Sequence, residues 1–314
     1  MTQVAVQKSR ALIARVAAGL ALALVLLGIV AVGRSGLFAA DPASTLARRE
    51  AFLPALIAVP TVTPPLPDLG AEAMFGALAA RGYTLEAVRT AEVDVPRLYA
   101  ARLPTDLSEL DSIDVRKQVF VKLLLPLILA ENERILADRE RLLRLRDEAH
   151  AGSLPEAAEA AWLEAIADRY GVKPRFPEAL AELVRRVDAV PPSLALGQAA
   201  LETGWGTSAV AQRSHAMFGQ MIAISDGDRT MVRRFGHLAH AVEAYAVNLN
   251  THKAYGRFRA KRADQRAKGQ VPDGYDLALT LSSYSERKSD YVRDVRGIIR
   301  ANRFRPFDSA RLDG

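Results

Sequence analysis

Glu202 closes a run, Pro191-Pro192-Ser193-Leu194-Ala195-Leu196-Gly197-Gln198-Ala199-Ala200-Leu201-Glu202, whose residues are apolar almost all round. A helix with that pattern is buried, and prolines suit its first turn. Thr203-Gly204-Trp205-Gly206 follows, where the glycines let the chain turn sharply. Between Ala189 and Ser225, Glu202 is the only acidic residue. A carboxylate at the end of a buried helix, among alanines, leucines and a tryptophan, is poorly solvated, so its charged form is disfavoured and its pKa rises. A carboxylic acid still protonated near neutral pH is what cleavage of a glycosidic bond asks of its general acid. The structural alternative is a buried glutamate paired with a cation, for which Arg213 is nearest in sequence.

Other side chains could take part in such chemistry. Trp205 and Phe218 present faces that stack on sugar rings or, equally, cap a core. Tyr284 and Tyr291 stand seven apart and would share a face of a continuous helix. His237, His240 and His252 invite a metal, but no further ligand recurs at a recognised spacing, so no metal and no cofactor is expected. Neither a glycine-rich phosphate loop nor a Gly-x-Ser-x-Gly elbow occurs.

These residues need a scaffold, and the hydrophobic period supplies a mostly helical one. Apolar residues recur at helical spacing from Asp114 to Glu148, with a kink expected at Pro126. Further helices are expected over Leu154–Tyr170, Pro177–Val187, Ala239–Asn250, Leu277–Tyr284 and Asp290–Ala301. Strands are scarce; a short hairpin between Met217 and Phe235 turns through Ser225-Asp226-Gly227-Asp228. Upstream, Pro54, Pro60, Pro64, Pro65, Pro67, Pro96 and Pro104 break regular structure, so 35–110 reads as a proline-rich connector. No internal repeat is visible at periods of roughly 20 to 50 residues, which speaks against a solenoid.

The N-terminus sets the expected compartment. Lys8, Arg10 and Arg15 precede an uncharged apolar run from Val16 to Val32, followed by Gly33-Arg34. Its length is near the minimum that spans a bilayer, and the basic flank would stay in the cytoplasm. We therefore expect a single-pass inner-membrane anchor with the catalytic part in the periplasm; the small residues Ala31-Val32-Gly33 offer the rival of a cleaved signal peptide. The chain has no cysteine, which removes disulfides and thiol chemistry. A net charge of +6 and a pI near 9.6 suit an anionic envelope polymer or lipid headgroups, whereas export and the interleaving of Arg139-Glu140-Arg141 argue against nucleic acid. Protein partners are not specified by the sequence.

The run Val190–Ser208 with Met217-Phe218-Gly219-Gln220 resembles the glucosaminidase family (endo-β-N-acetylglucosaminidase-like), which holds the Bax-like proteins and the flagellar peptidoglycan hydrolase domains. Glu243-Ala244-Tyr245, Asn248-Leu249-Asn250-Thr251-His252, Tyr284-Ser285-Glu286-Arg287 and Tyr291-Val292 extend the likeness to roughly residues 95–302. The resemblance implies a lysozyme-like α+β fold and hydrolysis of the β-1,4 bond after N-acetylglucosamine in peptidoglycan. It implies Glu202 as catalytic acid, Tyr284 beside it, and a sugar site drawn from Trp205, Phe218, Gln220, Tyr245 and Tyr291. The expected order is a cytoplasmic flank and anchor (1–34), the connector (35–110), a helical leader (111–189), the catalytic domain (190–305) and a tail (306–314). The chain departs from the family at His215-Ala216, where asparagines are usual, at Met221, where an aromatic is usual, and at Met231, where the hairpin commonly carries an acid. Asp226 and Asp228 are then the only local second acids, and the acetamido group of the substrate is the alternative nucleophile. A lytic transglycosylase and a catalytically silent wall-binding scaffold are the rival functions.

Overall fold

The computed structural model describes residues 66–173, 177–223, 230–282, 284 and 289–314. Its axis is α3 (Ile113–His150), 38 residues long and thus about 57 Å at the usual rise per residue. Ser112 starts it, its hydroxyl accepting the amide of Val115, and Asp114 adds a negative charge to the first turn. Every residue from Val119 to Leu129 is buried, so this stretch is covered on all sides. Pro126 lies within one continuous helix. The second half carries its arginines in ion pairs, such as Arg134 with Glu131 and Asp138, and Arg141 with Glu159.

The stretch 66–110 corrects the sequence expectation of a connector. Its α1 (Ala71–Ala79) and α2 (Leu85–Arg89) are short, but Ala71, Met74 and Leu78 repeat at helical spacing and are buried, as are Leu85 and Val88. The prolines shape extended segments between them that still bury Val95, Leu98, Ala100 and Leu103 in the main core. Asp106 accepts the amide of Ala71 at 2.9 Å, and the first turn of α1 is capped from outside. The final residues join the same core through Phe307 and Leu312, and Val95 forms a parallel bridge with Leu312.

α4 (Ala157–Arg169) and α5 (Glu178–Arg186) follow, and then α6 (Pro192–Thr203), which carries Glu202. α7 (Ala209–Ser214) leads to an antiparallel hairpin of β1 (Met221–Ala223) and β2 (Thr230–Val232), with Ile222 opposite Met231. α8 (Leu238–Thr251), α9 (Gly256–Ala267), α10 (Gly274–Leu277) and α11 (Ser289–Ala301) complete the fold. The helix expected over Leu277–Tyr284 is instead the end of α10 and a 3-10 turn at Ala278–Thr280. α9 was not foreseen, because its sequence is dominated by arginines and lysines. Two of those arginines, Arg259 and Arg262, are buried and end on backbone carbonyls. Among the described residues the architecture is mostly helical with one small two-stranded sheet, as expected. Among the described residues no helix is long and apolar enough to cross a membrane; the expected anchor lies outside them.

Candidate active site

Both ends of α6 are fixed by contacts its sequence makes possible. At the start, the carboxylate of Asp308 accepts the Ser193 amide and the Ser193 hydroxyl, each at 2.8 Å, and the Gly274 amide at 2.9 Å. It thereby caps the helix from a distant part of the chain. Midway, a side chain at Gly197 would meet Ile299 at 2.8 Å, so glycine lets α11 lie directly against α6. At the end, Gly204, Trp205 and Gly206 all take left-handed backbone angles, with φ of 57°, 62° and 78°. Thr203 stabilises this turn, its hydroxyl donating to the Ala199 carbonyl and accepting the Gly206 amide at 2.8 Å. A tryptophan in that backbone region is strained; here it is held by edge contacts with Phe120 and Phe304, at 5.8 and 6.1 Å between ring centres.

The segment entering α6 is equally constrained. Asn132 of α3 pairs with both backbone groups of Val190, at 2.8 and 2.9 Å. Asp188 is buried among Arg262 and Arg266 of α9 and Arg139 of α3, with nitrogen–oxygen distances of 3.5, 2.9 and 3.8 Å. Arg262 also donates to the carbonyls of Asp188, Ala189, Arg185 and Arg186.

Glu202 itself is partly exposed to solvent yet surrounded mostly by protein. Burial pushes its carboxyl up to about 7, against the opposing pull of a hydrogen bond from Tyr291. Gly219, at φ 63°, leaves room for it: a Cβ there would sit 3.0 Å from Oε2 of Glu202. Arg213, the cation nearest in sequence under the structural alternative, forms no ion pair with Glu202 among the described residues. Four phenols feel its charge instead, those of Tyr245, Tyr255, Tyr284 and Tyr291. Burial first holds the first, third and fourth far above their ordinary value, reinforced by Glu202 at Tyr284 and Tyr291 and by Tyr255 and then Glu202 at Tyr245, so each remains a protonated donor.

The side chains singled out in the sequence fall into two groups. Tyr284 and Tyr291 come together beside Glu202, stacked at 5.3 Å, and the Tyr284 hydroxyl donates to the Phe218 carbonyl at 2.8 Å. Phe218 and Tyr245 stack on each other at 3.9 Å and are buried, so their rings build the wall behind the acid. Gln220 donates to the Ala241 carbonyl at 3.0 Å at the root of the hairpin. Trp205 turns the other way, against α3 and the C-terminal segment, with the Lys117 amine over its ring. Asp226 and Asp228 lie outside the described residues.

Comparison with known proteins bears on this arrangement. The family model for mannosyl-glycoprotein endo-beta-N-acetylglucosaminidase, the glucosaminidase model, matches residues 159–304, from α4 to the end of the helical core. Protein bax of Escherichia coli strain K12 is 32% identical over 196 residues, covering 59% of this chain and 69% of that protein. The chain belongs to the glucosaminidase family. No solved structure matches it.

Within the glucosaminidase frame, the departures acquire structural roles. His215, at a left-handed φ of 54°, bonds through Nδ1 with the Phe235 carbonyl at 2.8 Å and ties the returning strand to the end of α7. Met231 projects into solvent opposite Ile222, so the hairpin shows an exposed apolar pair at that register. Gln198, Tyr255 and Asp308 join the site although no local pattern marks them out as a group. A signal for Gln198 was present: it is the one amide in an otherwise apolar helix and stands four residues before Glu202, on the same face.

Proposed function

We propose that this glucosaminidase cleaves the β-1,4 bond after N-acetylglucosamine in peptidoglycan, with Glu202 as general acid. The observation that carries the reading is the Glu202 carboxyl, pushed up to about 7 by burial while still open to solvent on one side. Such a group is largely protonated below neutrality and gives its proton to the leaving glycosidic oxygen. Tyr284 and Tyr291 stack on each other beside the acid, and Tyr291 donates a hydrogen bond to it. Among the described residues no second carboxylate acts on Glu202. The second role therefore falls to the acetamido group of the substrate or to Asp226 or Asp228. One acid in this setting also serves a lytic transglycosylase, the second reading.

A single digestion experiment separates these. Purified sacculi treated with the full-length protein should release muropeptides with reducing N-acetylglucosamine ends, and cleavage should fall as pH rises through about 7, because the acid form of Glu202 is lost. Anhydromuramyl ends would replace the hydrolase reading with the transglycosylase. Intact sacculi would leave a wall-binding scaffold. De-N-acetylated sacculi should resist digestion if the acetamido group is the nucleophile; their cleavage would move the role to the hairpin acids.

The proposal includes export, since the polymer lies outside the cytoplasm and the apolar run Val16–Val32 follows a basic flank. Alkaline phosphatase fused after residue 40 should be active, and the full-length protein should stay with membranes after a high-salt wash. An inactive fusion would overturn export; a soluble product beginning near Arg34 would mean a cleaved signal rather than an anchor.

A further inference from the structure

The hydrogen bonds that lead to Glu202 form a chain whose direction is set once the carboxyl is ionised. Tyr291, on α11, bonds the Glu202 carboxyl, and its hydroxyl accepts from Nε2 of Gln198 at 2.7 Å. The other end of the same amide, Oε1, accepts from the hydroxyl of Tyr245 on α8 at 2.6 Å. A phenol has one proton to give. If Tyr291 gives it to the carboxylate, Tyr291 must receive from its other neighbour, so Gln198 must present its NH2 there and its carbonyl to Tyr245. Tyr245 must then donate. Gln198 and Tyr245 are buried, and Phe218 stacks on Tyr245 at 3.9 Å, so the amide does not face bulk solvent and its two ends are met by the two phenols.

We propose that Gln198 is a positioning residue that fixes the direction of this chain, Tyr245 to Gln198 to Tyr291 to Glu202, and so aims the Tyr291 proton at the carboxylate. The proposal rests on the reading of Glu202 as the acid. The consequence is chemical as well as geometric. Burial alone would lift Glu202 further, and the donated proton restrains it, so the chain decides over which pH range the acid recharges after each proton transfer. The groups facing Glu202 from the packed elements are the phenols of Tyr245 on α8, Tyr255 in the turn after it, Tyr284 in the turn ahead of α11 and Tyr291 on α11; no described cation or carboxylate acts on it. Tyr255 bonds Asn248 and lies outside the chain.

The test is a double-mutant cycle read by carbon-13 NMR titration of the Glu202 carboxyl in the full-length protein, the resonance being identified by its loss in Glu202→Gln. Tyr291→Phe removes the donor and should raise the midpoint by about one pH unit. Gln198→Met keeps the volume, removes both amide groups and should raise it by about half a unit. In the Tyr291→Phe background Gln198→Met should add nothing, because its effect passes through the phenol. The basic limb of kcat/KM should move by the same amounts as the NMR midpoint. Tyr245→Phe supplies an independent arm if Gln198→Met does not fold: a smaller rise, again absent when Tyr291 is phenylalanine. An unchanged midpoint in Gln198→Met, or shifts that add in the double variant, would overturn the proposal and reduce Gln198 to a packing residue. The function is tested separately: an active Glu202→Gln removes the acid role, whereas an inactive one with unshifted Gln198→Met removes only the chain.

Discussion

Glu202→Gln should remove glycan cleavage by a factor of about 10² to 10⁴ and at the same time stabilise the protein above neutrality. The carboxamide has the shape of the carboxyl and still accepts from Tyr291, so the surrounding phenols need not move. What it lacks is a transferable proton. The stability effect follows from linkage. Glu202 is raised to about 7 in the folded protein, above its unfolded value, so it takes up a proton on folding, and ionising it costs stability as pH rises between the two values. The glutamine has no such cost. At pH 4 the two proteins should unfold at similar urea concentrations; at pH 8 the variant should be the more stable by about 1 to 3 kcal/mol. Dye release from labelled sacculi and urea melts at the two pH values check both halves. Undiminished dye release would sink the assignment of Glu202, whatever the melts show.

Asp188→Asn should act in the opposite sense, on the fold first. Burial pushes the Asp188 carboxyl up, but Arg262, Arg266 and Arg139 together outweigh it and hold the group below the ordinary carboxylate range. Neutralising it leaves three guanidinium groups without a counter-charge, one of them fully buried, and we expect a loss of about 3 to 5 kcal/mol. The sign with pH is set by the depressed value. The contribution of Asp188 is fully present above its unfolded pKa and disappears as pH falls through the folded one, so the wild type should lose this part of its stability on acidification and the variant should not. Equal urea midpoints at pH 7 would show that the arginines are satisfied by backbone carbonyls alone. Because Asp188 lies in the segment entering α6, any activity loss should track unfolding rather than shift the pH limb.

The buried carboxyl of Glu202 was more legible in the sequence than its surroundings. Glu202 was legible because burial of a helix and the position of one carboxyl can both be read from neighbouring residues. The hairpin between Met217 and Phe235 was legible for the same local reason. The phenol cluster was not: Gln198 lies 93 residues from Tyr291 and 47 from Tyr245, and no pattern within one segment reports a contact over that distance. Aromatic side chains misled in a different way, since a ring that could stack on a sugar and one that fills a core share a composition; Phe218 and Tyr245 fill the core, each covering the other. Prolines misled between residues 66 and 110, because they exclude regular helix without excluding burial, and Val95, Leu98 and Leu103 pack inward from extended backbone.

Asp308, which holds the first turn of α6, comes from a distant part of the chain. A polypeptide emerges from the ribosome N-terminus first, so the helix that bears Glu202 is made more than a hundred residues before the carboxylate that completes its start. Phe304 and Phe307, buried in the same core, arrive equally late. Until then α6 has unsatisfied amides and an uncovered flank. A nascent chain that stops short of Phe304 to Asp308 thus leaves the helix bearing Glu202 without its cap and without part of its core.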